Sequence, residues 1–275
     1  MPPLRSAQPP KILMLHGYTQ SGQLFHAKTR ALEKHLQKAF PGSILSYPTG
    51  PLRLDPSDVP GFDSSNASDS DDVEVRGWWR RSNTANPPEY LGMENGFSEV
   101  AKTLTTEGPF DGVAGFSQGA ALAAMVSSLL EGQRRKDAFQ SFHSQSSLSI
   151  PFPSSFIDIQ HPPLKFCIMY SGFVAPGERY RAFYDPHVST PSCHFIGSLD
   201  SVVEESRCQA LVDAFGGGAK AQVVYHPGGH FLPSSKQFLD VLASFIDNAT
   251  AAATPATQRR MKGKEESAED LDLPF

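Results

Sequence analysis

The sequence predicts an α/β fold, a mostly parallel central sheet with helices on both faces. Three observations predict it. Short apolar runs alternate with segments of helical character along most of the chain. Runs such as KILML at Lys11–Leu15 and LKFCIMY at 164–170 are almost continuously apolar, as in strands buried on both faces. Loops carrying Gly, Ser, His and Asp follow several of these runs directly, where open parallel sheets hold their working residues.

The first strand, Lys11–Leu15, ends at His16-Gly17 and leads into a loop. A helix is expected over 25–39, stopped by Pro41-Gly42, and a second strand over 43–47. Pro48 and Pro51 then turn the chain into a loop. Residues 52–75, with DSSNASDSDD at their centre, bury too little apolar surface to offset their ordering entropy and read as a mobile surface loop. Gly77-Trp78-Trp79-Arg80-Arg81 ends it. A helix follows over 92–104 and a buried strand over 110–116. The alanine-rich stretch 120–130 has the small residues of a tightly packed helix. Residues 131–163, polar and basic and then rich in proline, read as a long excursion before the strand at 164–170. Two more strands are expected at 192–196 and 221–225. The helix between them, near 204–215, is terminated by Gly216-Gly217-Gly218. A last helix is expected over 235–248. The domain therefore spans 11–248 with inserts at about 52–76 and 131–163. It is flanked by an extension at 1–10 and a tail at 249–275 with the composition of a disordered segment.

Composition narrows the function classes. The 275 residues carry 24 basic and 29 acidic side chains, a net charge of −5, and no long basic block, so nucleic acid is not an expected partner. The longest apolar stretches run to about ten residues, half of what a membrane span needs. No apolar signal segment precedes the first strand, and the three cysteines are few and unevenly spaced. These features point to a cytoplasmic protein with reduced thiols.

The chemistry centres on Gly115-Phe116-Ser117-Gln118-Gly119. A G-x-S-x-G between strand and helix puts a serine hydroxyl on a sharp turn, with glycines giving the strand and helix room to approach. A serine becomes a useful nucleophile when a base takes its proton and a third group orients that base. Asp200, in the loop after the 192–196 strand, is the favoured acid, against Glu204, Glu205 and Asp213, which fit the exposed face of the next helix. His230 is the favoured base, because Gly228-Gly229 lets it swing over the sheet, and His226 at the strand end is its competitor. A metal site at the H-x3-H spacing is not expected, since Pro227-Gly228-Gly229 forbids the helix it would need. For an oxyanion, the backbone N–H groups of Gln118 and Tyr18 are the expected donors. Trp78, Trp79, Phe173 and Tyr18 are candidates to line an acyl pocket, with core packing an equal reading for the two tryptophans.

LHGYTQSG at 15–22, RGWWR at 76–80, GFSQGA at 115–120, YSGF at 170–173 and HPGGH at 226–230 together resemble the FSH family of serine hydrolases, over roughly 11–246. GFSQG alone is shared with acyl-protein thioesterases and related carboxylesterases; the combination is more specific. The resemblance implies an α/β-hydrolase fold and a triad at Ser117, Asp200 and His230, with Tyr18 and Gln118 as oxyanion donors and no cofactor. The expected substrate is a small-molecule ester or thioester of a medium-sized acyl group, cleaved through an acyl-enzyme. Some members of that family release chains from polyketide synthases, which makes an acyl-carrier domain an alternative partner. Acyl transfer and a hydrolase-fold protein that binds without turnover are the remaining readings. The inserts at 66–72 and 131–163 depart from a compact member and bear on substrate size. Oligomeric state is not legible.

Overall fold

The computed structural model describes residues 9–55, 75–82, 84–218 and 220–252. Its centre is a six-stranded sheet in the order β10, β9, β8, β7, β1, β2, formed by Ala221–His226, Ser192–Gly197, Phe166–Tyr170, Gly112–Phe116, Lys11–Leu15 and Ile44–Ser46. Every pairing in it is parallel. Side chains alternate between two cores. Ile12, Met14, Ile168 and Phe195 face helices α1 (Gly22–Ala39) and α6 (Lys236–Ala252). Leu13, Leu15, Val113, Cys167 and Met169 face α2 (Met93–Glu107), α3 (Gln118–Leu129) and α5 (Glu205–Ala214). Both faces are covered, which is why the strands read as unbroken apolar runs.

The order of strands reverses at β1, which lies between β2 and β7. In an open α/β sheet, the crevice for ligands forms at the carboxyl ends of the strands flanking such a reversal. α3 begins in that crevice and is buried along its whole length. A helix enclosed on every side is built from small residues, and the stretch Ala120 to Ala124 reflects that. Its hydroxyls are satisfied internally: Ser127 donates to Ala123 O at 2.8 Å and Ser128 to Phe183 O at 2.6 Å.

Several expected boundaries shift. α1 starts three residues early because Ser21 caps it, its Oγ accepting the Leu24 N–H at 3.2 Å. α6 runs to Ala252, four residues into the segment assigned to the tail; the rest of that tail and most of the acidic insert lie outside the described residues. The insert's ends are tied down as a two-stranded ribbon, β3 (Leu52–Arg53) against β4 (Arg76–Gly77). A second ribbon pairs β5 (Arg80–Arg81) with β6 (Tyr90–Leu91). Such short strands leave no periodic signal.

The excursion at 131–163 contains a helix, α4 (Gln133–Gln145), and a single helical turn at Ser154–Phe156. α4 is polar but anchored by Arg135, which is fully buried. The guanidinium donates to Ala182 O, Pro186 O and Glu131 Oε2 at 2.7–2.9 Å. Three charge-assisted bonds offset the desolvation of this one cation and fasten the excursion to the segment at 178–186.

Candidate active site

Ser117 follows β7 at φ 54°, ψ −116°, a conformation costing about 1–3 kcal/mol that the surroundings must impose. Two glycines allow it. A Cβ on Gly115 would lie 2.1 Å from Gly119 O, and one on Gly119 would lie 2.1 Å from Leu15 O. The Ser117 N–H donates to Tyr170 O at 2.9 Å, continuing the β7–β8 ladder into the turn. Gln118 then opens α3, so the positive end of a buried helix faces the hydroxyl.

His230 lies on the loop after β10. Its Nε2 is 3.0 Å from Ser117 Oγ and its Nδ1 is 2.8 Å from Asp200 Oδ2. The ring packs against Phe116 at 4.8 Å. The Asp200 side chain is 1% exposed and the His230 side chain 19%. Asp200 Oδ1 accepts the N–H groups of Val202 and Val203, each at 2.9 Å. Burial pushes the Asp200 carboxyl up, but the Val203 N–H, His230 and the Val202 N–H outweigh it and hold the group below the usual carboxylate range. A carboxylate in that place favours the tautomer with the proton on His230 Nδ1, leaving Nε2 to accept from serine. The acid and base loops form one unit: Ser198 N–H donates to His226 O at 2.9 Å and Leu199 N–H to Gly228 O at 3.0 Å.

The competitor His226 and the nearby His16 have other surroundings. His226 is buried against Phe231 and Phe238, and among the described residues neither ring nitrogen has a hydrogen-bond partner. Burial lowers its pKa, with the Asp200 charge opposing, so it is held neutral beneath the loops. His16 is fully buried under the elbow. Its Nδ1 bonds Gly17 O at 2.8 Å and its Nε2 accepts the Gly50 N–H at 2.8 Å, while Trp78 Nε1–H donates to His16 O at 2.9 Å. Burial pulls its pKa down to about 4, against the Gly17 bond. A neutral imidazole stitching three loops is a structural element.

Ser117 opens into a cavity of about 700 Å³. Tyr18, Gln118, Trp79 and Phe173 line it, so four sequence-predicted residues meet there around the serine. Trp78 is not among the lining residues. Its indole is buried against the His16 ring, 4.8 Å between centroids, which answers the choice between pocket and core in favour of core. Trp79 instead stacks on Tyr90, and Tyr90 on Tyr180, both at 4.9 Å, making an aromatic wall. The Gln118 side chain fixes that wall to the elbow: its Oε1 accepts the Trp78 N–H at 2.8 Å and its Nε2 donates to Trp79 O at 2.9 Å. Sequence reasoning placed only the Gln118 backbone in the site. It also missed Tyr90, Val203, Arg81 and Arg207 in the lining, which come from two two-residue strands, a turn and an exposed helix face without a pattern of their own. Among the described residues no group of His, Cys, Asp and Glu is arranged to hold a metal ion.

The description "Serine hydrolase (FSH1)" belongs to the family model that matches residues 5–242. The chain is 33% identical to "Family of serine hydrolases 3" of Saccharomyces cerevisiae over 95% of its length and 94% of that protein. It is 32% identical to "Esterase OVCA2" of Danio rerio over 88% of its length and 98% of that protein. Among solved structures it is similar to acyl-protein thioesterase 2 of Zea mays, with a TM-score of 0.58 and 19% identity, covering 90% of this chain and 96% of that one. Esterase PE8 aligns with a TM-score of 0.52 and 18% identity over 90% and 96%. Both likenesses show the α/β-hydrolase fold.

Proposed function

The chain belongs to the FSH1 serine hydrolase family and is a serine esterase or thioesterase, and from that premise we propose that Ser117, His230 and Asp200 are its catalytic triad and that it works through an acyl-enzyme. The observation that carries this reading is the continuous hydrogen-bond chain of 3.0 Å and 2.8 Å from serine through imidazole to a buried carboxylate. In this reading Ser117 Oγ attacks the carbonyl carbon while His230 Nε2 takes the hydroxyl proton. The N–H groups of Gln118 and Tyr18 receive the developing oxyanion, helped by the amino end of α3. The imidazolium, steadied by Asp200, returns its proton to the departing alkoxide or thiolate, and the acyl group remains on serine. Water then attacks with His230 again as base, and the acid leaves.

A cavity of about 700 Å³ lies within the range of small-ligand sites, roughly 300–1,000 Å³, and suits a medium-sized acyl group. A second reading, release of a polyketide or other carrier-bound chain, is favoured by Leu199, Val202 and Phe231, apolar side chains exposed on the loops beside the triad. The three cysteines are free and buried, which suits the reducing cytoplasm proposed for it. None of the described helices is long and apolar enough to cross a membrane. Ser117→Ala tests the assignment: turnover of p-nitrophenyl butyrate is expected to fall by at least about 10³-fold. Unchanged turnover in a folded variant contradicts it.

A further inference from the structure

The cavity beyond Ser117 meets a concentration of positive charge. Its described lining includes three arginines, Arg80, Arg81 and Arg207, and no carboxylate, in a chain whose net charge is −5. They converge from separate elements, Arg80 and Arg81 forming β5 and Arg207 lying in the first turns of α5. The Arg207 guanidinium lies over the Phe173 ring, 4.5 Å from its centroid, so the charge is held against the pocket wall. Tyr90 lies within electrostatic reach of both Arg207 and Arg81: burial raises its phenol, and the two cations oppose that rise. Three neighbouring carboxylates have partners of their own. Asp200 serves His230, Glu205 accepts the Tyr225 hydroxyl at 2.8 Å, and Glu89 pairs with Arg179 at 3.6 Å. Among the described residues no carboxylate forms an ion pair with Arg81 or Arg207.

Like charges gathered at one cavity repel one another, and an aliphatic tail gains little from them. A planar guanidinium fork matches a carboxylate or a phosphate, and half-apolar walls strengthen that attraction above its value in open water. We propose that this pocket selects esters or thioesters carrying an anionic group away from the scissile carbonyl, and that Arg207 and Arg81 bind it. This rests on the ester-hydrolase reading above. The anion has two possible sources, a carboxylate at the far end of the acyl chain or a phosphate on the leaving group.

The test compares kcat/KM of the full chain on two matched pairs. Mono-p-nitrophenyl adipate against p-nitrophenyl hexanoate puts the anion in the acyl tail; hexanoyl-CoA against S-hexanoyl-N-acetylcysteamine puts phosphate in the leaving group. At low salt at least one anionic member is expected to be preferred about tenfold, and the pair that shows it identifies the source. That preference is expected to shrink to about threefold or less in 0.5 M NaCl, and likewise in Arg207→Gln and in Arg81→Gln. Should Arg207→Gln fail to fold, Arg81→Gln and the salt series on the native chain read the same quantity. No preference in either pair, or one that survives both salt and arginine loss, overturns the inference while leaving the hydrolase reading intact. Failure of the native chain on all four substrates overturns both.

Discussion

The elbow and the aromatic wall line one cavity, but they are made in opposite ways. At the elbow, everything that matters lies within five consecutive residues and the strand end they cross: a positive-φ serine, two glycines without room for a methyl group, and the start of a helix. The wall is assembled from Trp79, Tyr90 and Tyr180, which come from three segments and meet by stacking, and Phe173 lines the same cavity. Local covalent geometry thus holds the nucleophile, while tertiary packing brings His230 and Asp200 to it and shapes what reaches it. Reaction type and substrate choice therefore respond to different mutations.

The largest expected effect lies in the groups that serve the elbow serine. Asp200→Asn removes the charge that selects the His230 tautomer while keeping its shape, and kcat is expected to fall about 10³- to 10⁴-fold with KM nearly unchanged. A fall in KM-controlled binding with kcat preserved would break the assignment of Asp200 to chemistry. Gly119→Ala places a Cβ against Leu15 O and is expected to cost on the order of 3 kcal/mol in urea unfolding together with most of the activity. Gln118→Ala probes the link between the two regions, since its side chain bonds Trp78 and Trp79. The loss of about 1–3 kcal/mol of stability is expected, with a larger change in KM than in kcat. An equal fall in kcat would mean that the elbow depends on the wall after all.

The same contrast explains what could be read in advance. The parallel sheet and both helix layers were legible, because buried parallel strands leave unbroken apolar runs; Ser117, Asp200 and His230 were chosen as candidates from the loops that follow such runs, and His230 lies within hydrogen-bond distance of the other two. Asp200 was separable from Glu204, Glu205 and Asp213 by its loop position, and His230 from His226 by its glycines. The ribbons β3–β4 and β5–β6 were not legible, since two-residue strands have no period and form only because a partner is present. α4 was hidden by its polarity, since only Arg135, Ala138 and Phe139 of its thirteen residues are buried. Trp78 and Trp79 are adjacent and alike in sequence, yet one packs on His16 and the other lines the pocket; only the register of a short ribbon tells them apart.

The most direct measurement is intact-mass spectrometry after treatment with a fluorophosphonate probe, followed by peptide mapping. An activated serine is expected to give one adduct, located on Ser117, absent in Ser117→Ala and formed about 10³-fold more slowly in His230→Ala. An adduct on another residue, or labelling of His230→Ala at the native rate, would contradict the triad on which this account depends.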